Sequence, residues 1–285
     1  MSANSKGDGT LTCSTVEKTG TSMASPSAAG AACLVRQYFS DSKFWSAVCN
    51  AAPIAGSPNG CGSFTPSGIL VKAALINSGS QMTLFDFGDP TQPQRTVSLG
   101  NPPDNVQGYG RITLKNVLPL PVAGYNFGLF VDDLRTISFN SQVVYKANIV
   151  DSSAPFQVTL AWYDPANQNG ISTPALIHDL DLLVVSPSGG KYYGNGMNTG
   201  NNAFDVLNTN ERVSVSSPQT GTWTVTVSTK GLFYSNSESY SLVMTMHGYA
   251  ALGSLPTGPT TPPPSQTPPT RAPTRRSRRP TAKPT

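Results

Sequence analysis

Charged residues and histidines are scarce in this sequence. Asp, Glu, Lys and Arg make up 12% of its 285 residues and only two residues are histidines, whereas there are 26 glycines and 25 prolines. Long solvent-facing helices carry many charged side chains, and Gly and Pro mark turns. We therefore expect short strands, turns and loops, with enough hydrophobic residues, 38%, to form buried cores.

Long apolar runs are also absent. No stretch approaches the roughly 20 apolar residues of a membrane-spanning helix. The polar start of the chain, from Met1 to Lys6, is not followed by the apolar segment of a secretory signal peptide. We expect no membrane span, and a secreted protein would need a targeting signal upstream of Met1.

Basic residues are concentrated at the end of the chain. The formal net charge is +4, but six of the 19 basic residues lie in the last fifteen positions. These six are Arg271, Arg275, Arg276, Arg278, Arg279 and Lys283. The rest of the chain has 13 basic against 15 acidic residues, which gives no electrostatic case for nucleic-acid binding. We expect a monomer that binds no nucleic acid.

All four cysteines fall in the first 61 residues: Cys13, Cys33, Cys49 and Cys61. Their spacing, without neighbouring histidines, does not indicate a zinc site. Cys49 and Cys61 enclose a short loop that a disulfide could close, which would suit an oxidising, extracellular environment. Free thiols in a cytosolic protein are the alternative.

Helical segments are predicted in the first part of the chain. Residues 21–39 are rich in Ala and Gly and lack strand-like alternation, which predicts a helix packed closely against its neighbours. Residues 66–77 begin with a proline and stop before Gly79, as is typical of a helix. Residues 113–118 predict one further short turn.

Beyond Pro121 the hydrophobic pattern changes to a period of two, which is typical of half-buried strands. The clearest strands are predicted at 143–150, 156–162, 221–228 and 240–247. Turn residues separate them, so we predict an all-β sandwich or jelly roll over residues 122–250. Residues 251–285, rich in Pro, Thr, Ser and Arg, predict a disordered tail.

A candidate nucleophile lies at the start of the first predicted helix. Residues 20–26 read Gly-Thr-Ser-Met-Ala-Ser-Pro, so Ser22 would lie in the first turn. Unpaired backbone N–H groups and the positive end of the helix dipole favour an oxyanion there, and Gly20 allows close approach of a substrate backbone. A helix N-cap in an unrelated fold is the alternative for Ser22.

This segment, with the Ala-Ala-Gly that follows it, resembles the serine signature of the subtilisin-like serine proteases. Residues 70–76 resemble the next helix of that family, residues 107–114 its closing Gly-Tyr-Gly-Arg stretch, and Ser2-Ala3 the strand before the serine loop. The resemblance implies that residues 1–121 are the C-terminal portion of a three-layer α/β catalytic domain.

The resemblance also implies an acyl-enzyme mechanism on polypeptide substrates. Ser22 would be the nucleophile, with its own N–H in the oxyanion hole, and Gly20 and Thr21 would border the approaching substrate. In this family the catalytic Asp, the catalytic His and the oxyanion Asn all precede the serine. No His precedes Ser22, and His178 and His247 lie in the predicted β region. We therefore expect the chain to be an incomplete, inactive fragment of a serine endopeptidase.

Residues 122–250 resemble the C-terminal β-jelly-roll domain of the oxidatively stable alkaline subtilases. The shared segments are 158–164, 179–182, 187–189 and 217–223. With the protease-like segment before it and the tail after it, this region predicts three parts: residues 1–121, 122–250 and 251–285. The fold class expected is thus α/β, followed by an all-β jelly-roll sandwich and a disordered tail.

Two aspartates in the β region predict a cation site. Asp179 and Asp181 would project from the same face of a strand, where their mutual repulsion favours a cation between them. Calcium suits clustered oxygen ligands, and Asp164 with a loop carbonyl near Asn195 or Asn198 could complete the shell. A solvated acidic face without metal is the alternative.

A non-catalytic binding or stabilising module is the second functional hypothesis. The β-sandwich would then bind a ligand such as a sugar in an aromatic groove, and the protease-like segment would be vestigial. The candidate groove residues are Tyr192, Tyr193, Trp223 and Tyr234. The alternation around Trp223 favours the core for that side chain.

Overall fold

The computed structural model of the chain describes residues 2–4, 14–16, 20–50, 55–85, 97–120, 127–166, 176–196, 204–232 and 234–253. These ranges hold three helices, α1 (Thr21–Ser40), α2 (Trp45–Asn50) and α3 (Gly68–Asn77), and a 3-10 turn at Leu114–Asn116. Their short strands are β1 (Ser2–Asn4), β2 (Ser14–Val16), β3 (Ala55–Gly56), β4 (Leu84–Phe85) and β5 (Val97–Ser98). Their remaining strands are β6 (Gly128–Ser138), β7 (Gln142–Ile149), β8 (Phe156–Trp162), β9 (His178–Val185), β10 (Lys191–Tyr193), β11 (Asn210–Val215), β12 (Gly221–Leu232), β13 (Ser237–Met246) and β14 (Gly248–Leu252).

Two five-stranded sheets dominate the structure. Sheet I has the order β10-β9-β12-β7-β14, and sheet II has the order β11-β8-β13-β6-β3. All pairings in these sheets are antiparallel except that of β3 with β6, which is parallel. The predicted β-rich architecture is therefore confirmed. The strand at the end of the region, β14, continues to Leu252, two residues into the segment predicted as tail.

A shared core lies between the two sheets because their strands alternate. In β9 the side chains of Leu180, Leu182 and Val184 are buried in this core, and β12 contributes Trp223, Val225 and Val227 in the same manner. Alternation with a period of two places every second side chain on one face. The inward faces of β9 and β12 are apolar, as their alternating sequences predicted.

Sheet II is covered on its other face by the helices. The helix α3 contributes Ile69, Leu70, Ala73 and Ala74 to a second core cluster. From the sheet, Leu129, Val131, Ala161 and Val243 join the same cluster. A sheet that is buried on both faces needs apolar side chains on both, which explains why β8 is buried almost continuously. The segment before residue 121 thus completes the packing of the sandwich.

The predicted helices are present, with one difference in packing. The N-terminal half of α1 is largely exposed, and its buried residues, Val35, Tyr38 and Phe39, all lie in the second half. The close packing expected for its small residues is therefore not seen among the described residues. The helix α3 begins after Ser67, whose hydroxyl accepts a hydrogen bond from the Leu70 N–H as an N-cap.

The predicted disulfide joins Cys49 at the end of α2 to Cys61. Cys33 is free and exposed, whereas Cys13 and the tail from residue 254 lie outside the described residues. A three-layer α/β domain is not shown. The strands β1 and β2 pair antiparallel, and in the part that the structure describes no parallel sheet is larger than the β3–β6 pairing. None of the described helices is long and apolar enough to cross a membrane.

Candidate functional site

Ser22 lies in the first turn of α1, as the sequence predicted. Gly20 precedes the helix with φ 152° and ψ 166°, a conformation open to glycine but strained for other residues. The Gly20 carbonyl accepts hydrogen bonds from the N–H groups of Met23 (3.1 Å) and Ala24 (3.2 Å). Thr21 and Ser22 are exposed, so the hydroxyl is accessible at the end of the helix where N–H groups lack intrahelical partners.

Both histidines of the chain are engaged away from Ser22. His178 is buried at the start of β9, and its Nδ1 binds the carboxylate of Glu238. His247 Nδ1 lies 3.0 Å from the Ser153 hydroxyl oxygen and 3.5 Å from a carboxylate oxygen of Asp151. A serine hydroxyl needs a general base to become a nucleophile. These contacts leave neither histidine placed as that base.

A group of carboxylates lies where β9 of sheet I approaches β11 of sheet II. Asp179 and Asp181 belong to β9, Glu211 to β11, and Asp205 to the loop before β11. The charges of the three aspartates act on the Glu211 carboxyl. Glu211 Oε2 accepts a hydrogen bond of 2.7 Å from the Leu182 N–H, so this side chain bridges the two sheets. We call Asp179, Asp181, Asp205 and Glu211 the acidic cluster.

Glu211 is the most confined member of the acidic cluster. The residue is fully buried, and its Oε1 has no hydrogen-bond partner. Burial raises the pKa of Glu211 well above its ordinary value, and the neighbouring aspartates raise it further, against the lowering effect of the Leu182 N–H. A buried carboxyl in this position must be neutralised by a proton or by a cation.

Sequence reasoning did not single out Glu211. It lies in the polar run Asn210-Glu211-Arg212 at the start of β11, which looks like an exposed strand end. The available signal for burial was a pair of adjacent charged residues on a short strand, directly before the apolar Val213. Arg212 is buried as well, which the sequence also did not indicate.

The residues predicted to complete the cation shell differ in the contacts that the structure gives them. Asp164 uses both carboxylate oxygens to accept backbone N–H groups, Oδ1 from His178 at 2.6 Å and Oδ2 from Ile177 at 2.8 Å. It thereby fixes the entry into β9. Asn195 lies beside the acidic cluster, and its Nδ2 donates to Asp205 Oδ2 at 2.6 Å. Asn198 lies outside the described residues.

The acidic cluster has the chemistry of a site for a hard cation. All its donors are oxygens, which calcium prefers in clusters of six to eight at distances of about 2.3–2.6 Å. Among the described residues, which include all four members of the acidic cluster, no group of three or more His, Cys, Asp or Glu side chains is arranged to hold a metal ion. A cleft of about 530 Å³ adjoins Asp205, between residues 103–109 on one side and residues 194–196 and 204–208 on the other.

The predicted aromatic groove is not formed. Trp223 is fully buried, and its Nε1 donates to the Gln219 carbonyl at 2.8 Å. Tyr192 packs on it, with ring centroids 5.6 Å apart, and Tyr193 packs on Phe204. Tyr234 is exposed. The structure therefore places Trp223 in the core.

Comparisons with known proteins give limited support for a protease. No family model matches the chain. The serine protease/ABC transporter B family protein tagA of Dictyostelium discoideum is 28% identical over 254 residues, which are 86% of this chain and 13% of that protein. The chain thus spans a small part of this relative, and it is similar to a protein named as a serine protease.

The solved structures to which the chain is similar include a mitogen and a copper-binding protein. The Yersinia pseudotuberculosis-derived mitogen is 15% identical, with a TM-score of 0.24, and covers 43% of this chain and 86% of its own. The surface-associated copper-binding protein CorA of Methylomicrobium album BG8 is 10% identical, with a TM-score of 0.13, and covers 42% of this chain and 80% of its own. Likeness at these TM-scores carries no functional argument.

Proposed function

We propose that the chain is part of a subtilisin-like serine endopeptidase in which Ser22 is the nucleophile. The observation that carries this proposal is the exposed serine in the first turn of α1, directly after Gly20 and within the motif Gly-Thr-Ser-Met-Ala-Ser-Pro. The similarity to a protein named as a serine protease supports it.

In this mechanism the Ser22 oxygen attacks a peptide carbonyl and forms an acyl-enzyme, which water then hydrolyses. The Ser22 N–H at the helix terminus stabilises the oxyanion, while Gly20 and Thr21 border the substrate backbone. The general base and the second oxyanion donor come from elsewhere, because His178 and His247 are engaged in the sandwich. The 285-residue chain by itself is therefore inactive as a protease.

The disulfide between Cys49 and Cys61 supports an extracellular location.

A fluorophosphonate probe tests this assignment because it labels activated serines. The protein would be tagged and isolated from the cells that naturally produce it, as wild type, Ser22→Ala and the matched control Ser25→Ala. We expect label on the peptide containing Ser22 in wild type and Ser25→Ala, and none in Ser22→Ala. The recombinant 285-residue chain should remain unlabelled. An unlabelled natural protein, or label that persists in Ser22→Ala, contradicts the proposal.

We also propose that the acidic cluster binds calcium as a structural ion. The buried Glu211 Oε1, which has no hydrogen-bond partner, is the observation that carries this proposal. Asp179 and Asp181 are the ligands that the sequence predicted, with Asp164 acting at the entry of β9. A ligand that binds only the folded state raises stability by about 2.7 kcal/mol at one hundred times its dissociation constant.

Thermal unfolding with calcium or with a chelator tests the calcium proposal. We expect calcium to raise the melting temperature of the wild type and of the surface control Asp151→Asn, but not of Asp181→Asn. Magnesium, which is smaller and keeps its water, should act more weakly. The proposal fails if Asp181→Asn responds to calcium as the wild type does.

The alternative function, a binding module with an aromatic groove, is less favoured because Trp223 lies in the core.

A further inference from the structure

The strand β3 forms one edge of sheet II and has only two residues. Its residues, Ala55–Gly56, pair parallel with residues 129–130 of β6. A strand this short makes few ladder hydrogen bonds, since strands of about three to ten residues are usual. In the turn after β3, Asn59 Nδ2 lies 3.5 Å from the Asp133 carbonyl oxygen of β6, which is a long hydrogen bond. Hydrogen bonds therefore hold β3 only weakly on β6.

A disulfide closes the loop that carries β3. Cys49 at the end of α2 is bonded to Cys61, and Ala55–Gly56 lies between these two cysteines in the chain. Closing a loop removes conformational freedom that the open loop would gain on leaving the sheet. Cys49 is buried in the second core cluster with the helices, so the bond attaches the loop to the packed part of the structure. The position of β3 thus depends on the disulfide.

The two halves of β6 differ in how their free edge is protected. In the second half, Leu134 has φ 54° where the pairing with β13 is irregular, and Asp133 and Arg135 are charged. Irregular pairing and charged residues keep edge strands from pairing with other chains. Residues 129–131 in the first half, Leu-Phe-Val, are buried and apolar on both faces of the sheet. In the described part of the chain, β3 is the strand that covers their edge.

We propose that the Cys49–Cys61 disulfide is a redox-sensitive lock on the edge of sheet II, and that the reduced chain dimerises by pairing β6 with β6 of a second copy. The reductant is a dithiol, whose thiolate attacks Sγ of Cys61, the more accessible of the two sulfurs. Cys49 leaves as a thiolate and takes up a proton. The second thiol of the reductant then displaces Cys61 and closes the reductant's own disulfide. Two electrons and two protons thus pass to the chain, and β3 is free to leave β6.

A second copy fits the uncovered edge because this edge is complementary to itself. A two-fold axis perpendicular to the sheet pairs β6 antiparallel with its own copy. The apolar residues 129–131 of both copies then lie side by side, while Asp132 and Asp133 of the two copies lie at opposite ends of the contact. A parallel pairing would instead place these carboxylates next to each other, which is unfavourable. Because a two-fold contact closes on itself, we expect a dimer and no open polymer.

Sedimentation of the full chain at several concentrations tests whether reduction produces the dimer. All proteins carry Cys13→Ser and Cys33→Ser, so that no other thiol of the chain can join two copies. We compare the oxidised protein, the same protein reduced with dithiothreitol, and a variant that also carries Cys49→Ser and Cys61→Ser. We expect a monomer in the oxidised protein and a concentration-dependent dimer in the other two. Dithiothreitol should have no effect on the variant without cysteines.

Hydrogen exchange tests whether the dimer forms through β6. In dilute, monomeric reduced protein, the edge-facing amides of residues 129–131 should exchange about 10-fold faster or more than in the oxidised protein, because loss of a loop-closing disulfide releases β3. At concentrations where the dimer forms, the protection of these amides should return. The central strands β8 and β13 should stay protected under all conditions, since their pairing does not involve β3.

Three outcomes would overturn the proposal. The first is a reduced chain that stays monomeric at every concentration, and the second is a dimer in which the edge-facing amides of β6 still exchange fast. The third is loss of protection in β8 and β13 on reduction, because association would then follow from unfolding of sheet II and not from release of its edge.

Discussion

Glu211 illustrates how one buried carboxyl can set the pH dependence of a whole domain. An unfolded Glu titrates near a pKa of about 4.3, and burial raises the pKa of Glu211 in the folded chain. Between these two values the folded chain binds a proton that the unfolded chain has released. In a chelator, the free energy of unfolding should therefore be highest below the unfolded pKa and should fall as the pH rises through the folded pKa.

Urea unfolding over a pH series in a chelator measures this dependence. We expect Glu211→Gln to remove the fall, because its neutral amide needs no proton. Asp151→Asn is the control. Hydrogen bonds from Ser153 lower the pKa of the exposed Asp151 carboxyl, so this group gives the free energy of unfolding a pH dependence of the opposite sign. A fall that persists unchanged in Glu211→Gln would show that another group is responsible.

Gly79 is required by the close packing of the backbone against Tyr109 and Arg212. A Cβ at this position would collide with the Tyr109 carbonyl and lie 2.9 Å from Arg212 Nη1. We expect Gly79→Ala to lower the free energy of unfolding by about 2 kcal/mol or more, as overpacking does. Gly30→Ala is the matched control, because its Cβ meets no atom within 4 Å in α1. That variant should gain about 0.5–1 kcal/mol. Equal effects of the two substitutions in urea unfolding would disprove the packing argument.

Residue-level chemistry was predictable where it lies in a contiguous motif. Ser22 could be placed at a helix start because seven consecutive residues define its surroundings. The burial of Glu211 and Arg212 could not be predicted, because it depends on Leu182, Ile76 and Tyr109, which are distant in sequence and reach β11 only through the fold.

At the scale of elements, a buried polar contact joins α3 to sheet II. Asn77 is fully buried, donates from Nδ2 to Thr245 Oγ1 (3.0 Å) and accepts from Thr159 Oγ1 (2.9 Å). Removing one partner of a buried polar contact leaves the others unsatisfied, whereas replacing all of them by apolar groups is nearly neutral. The contact therefore fixes the register of α3 on β8 and β13.

We expect Asn77→Ala to lower the free energy of unfolding by about 2 kcal/mol or more. The triple variant Asn77→Leu, Thr159→Val, Thr245→Val should recover most of this loss, because no polar group is then left unpaired. Chemical denaturation of the three proteins measures both effects. A triple variant that is no more stable than Asn77→Ala would mean that volume and shape, rather than the hydroxyls, dominate at this contact.

The elements that the sequence predicted are those with regular patterns. The strands β7, β8, β12 and β13 alternate clearly, and α1 and α3 have recognisable ends. In β6 the pattern is broken, because Asp132 faces inward to accept a hydrogen bond from the Tyr145 hydroxyl and Leu134 has φ 54° at an irregular pairing. Such a strand satisfies its buried charge through distant partners that local periodicity cannot reveal.

For the whole molecule, the packing of sheet II determines which piece of the chain can fold alone. The sequence suggested a boundary at residues 121 and 122, where the hydrophobic period changes. The structure shows that Leu129, Val131, Ala161 and Val243 on the outer face of sheet II are buried together with residues of α1 and α3. In addition, β3 supplies the edge strand beside β6. Both contacts cross that boundary.

A fragment of residues 127–253 should therefore expose a contiguous apolar face. Exposed patches of this kind bind hydrophobic dyes and promote association, so we expect this fragment to bind such a dye and to sediment as oligomers. The longer fragment 20–253, which keeps α1, α2, β3, α3 and the disulfide, should remain monomeric, and removal of residues 254–285 alone should leave the melting temperature unchanged. Replacing Leu129, Val131 and Val243 by Thr in the short fragment should reduce dye binding, because the cause is the apolar face and not the missing length. A monomeric short fragment that melts like the full chain would instead mean that the sandwich is independent of the helices, and that the sequence boundary is also a folding boundary.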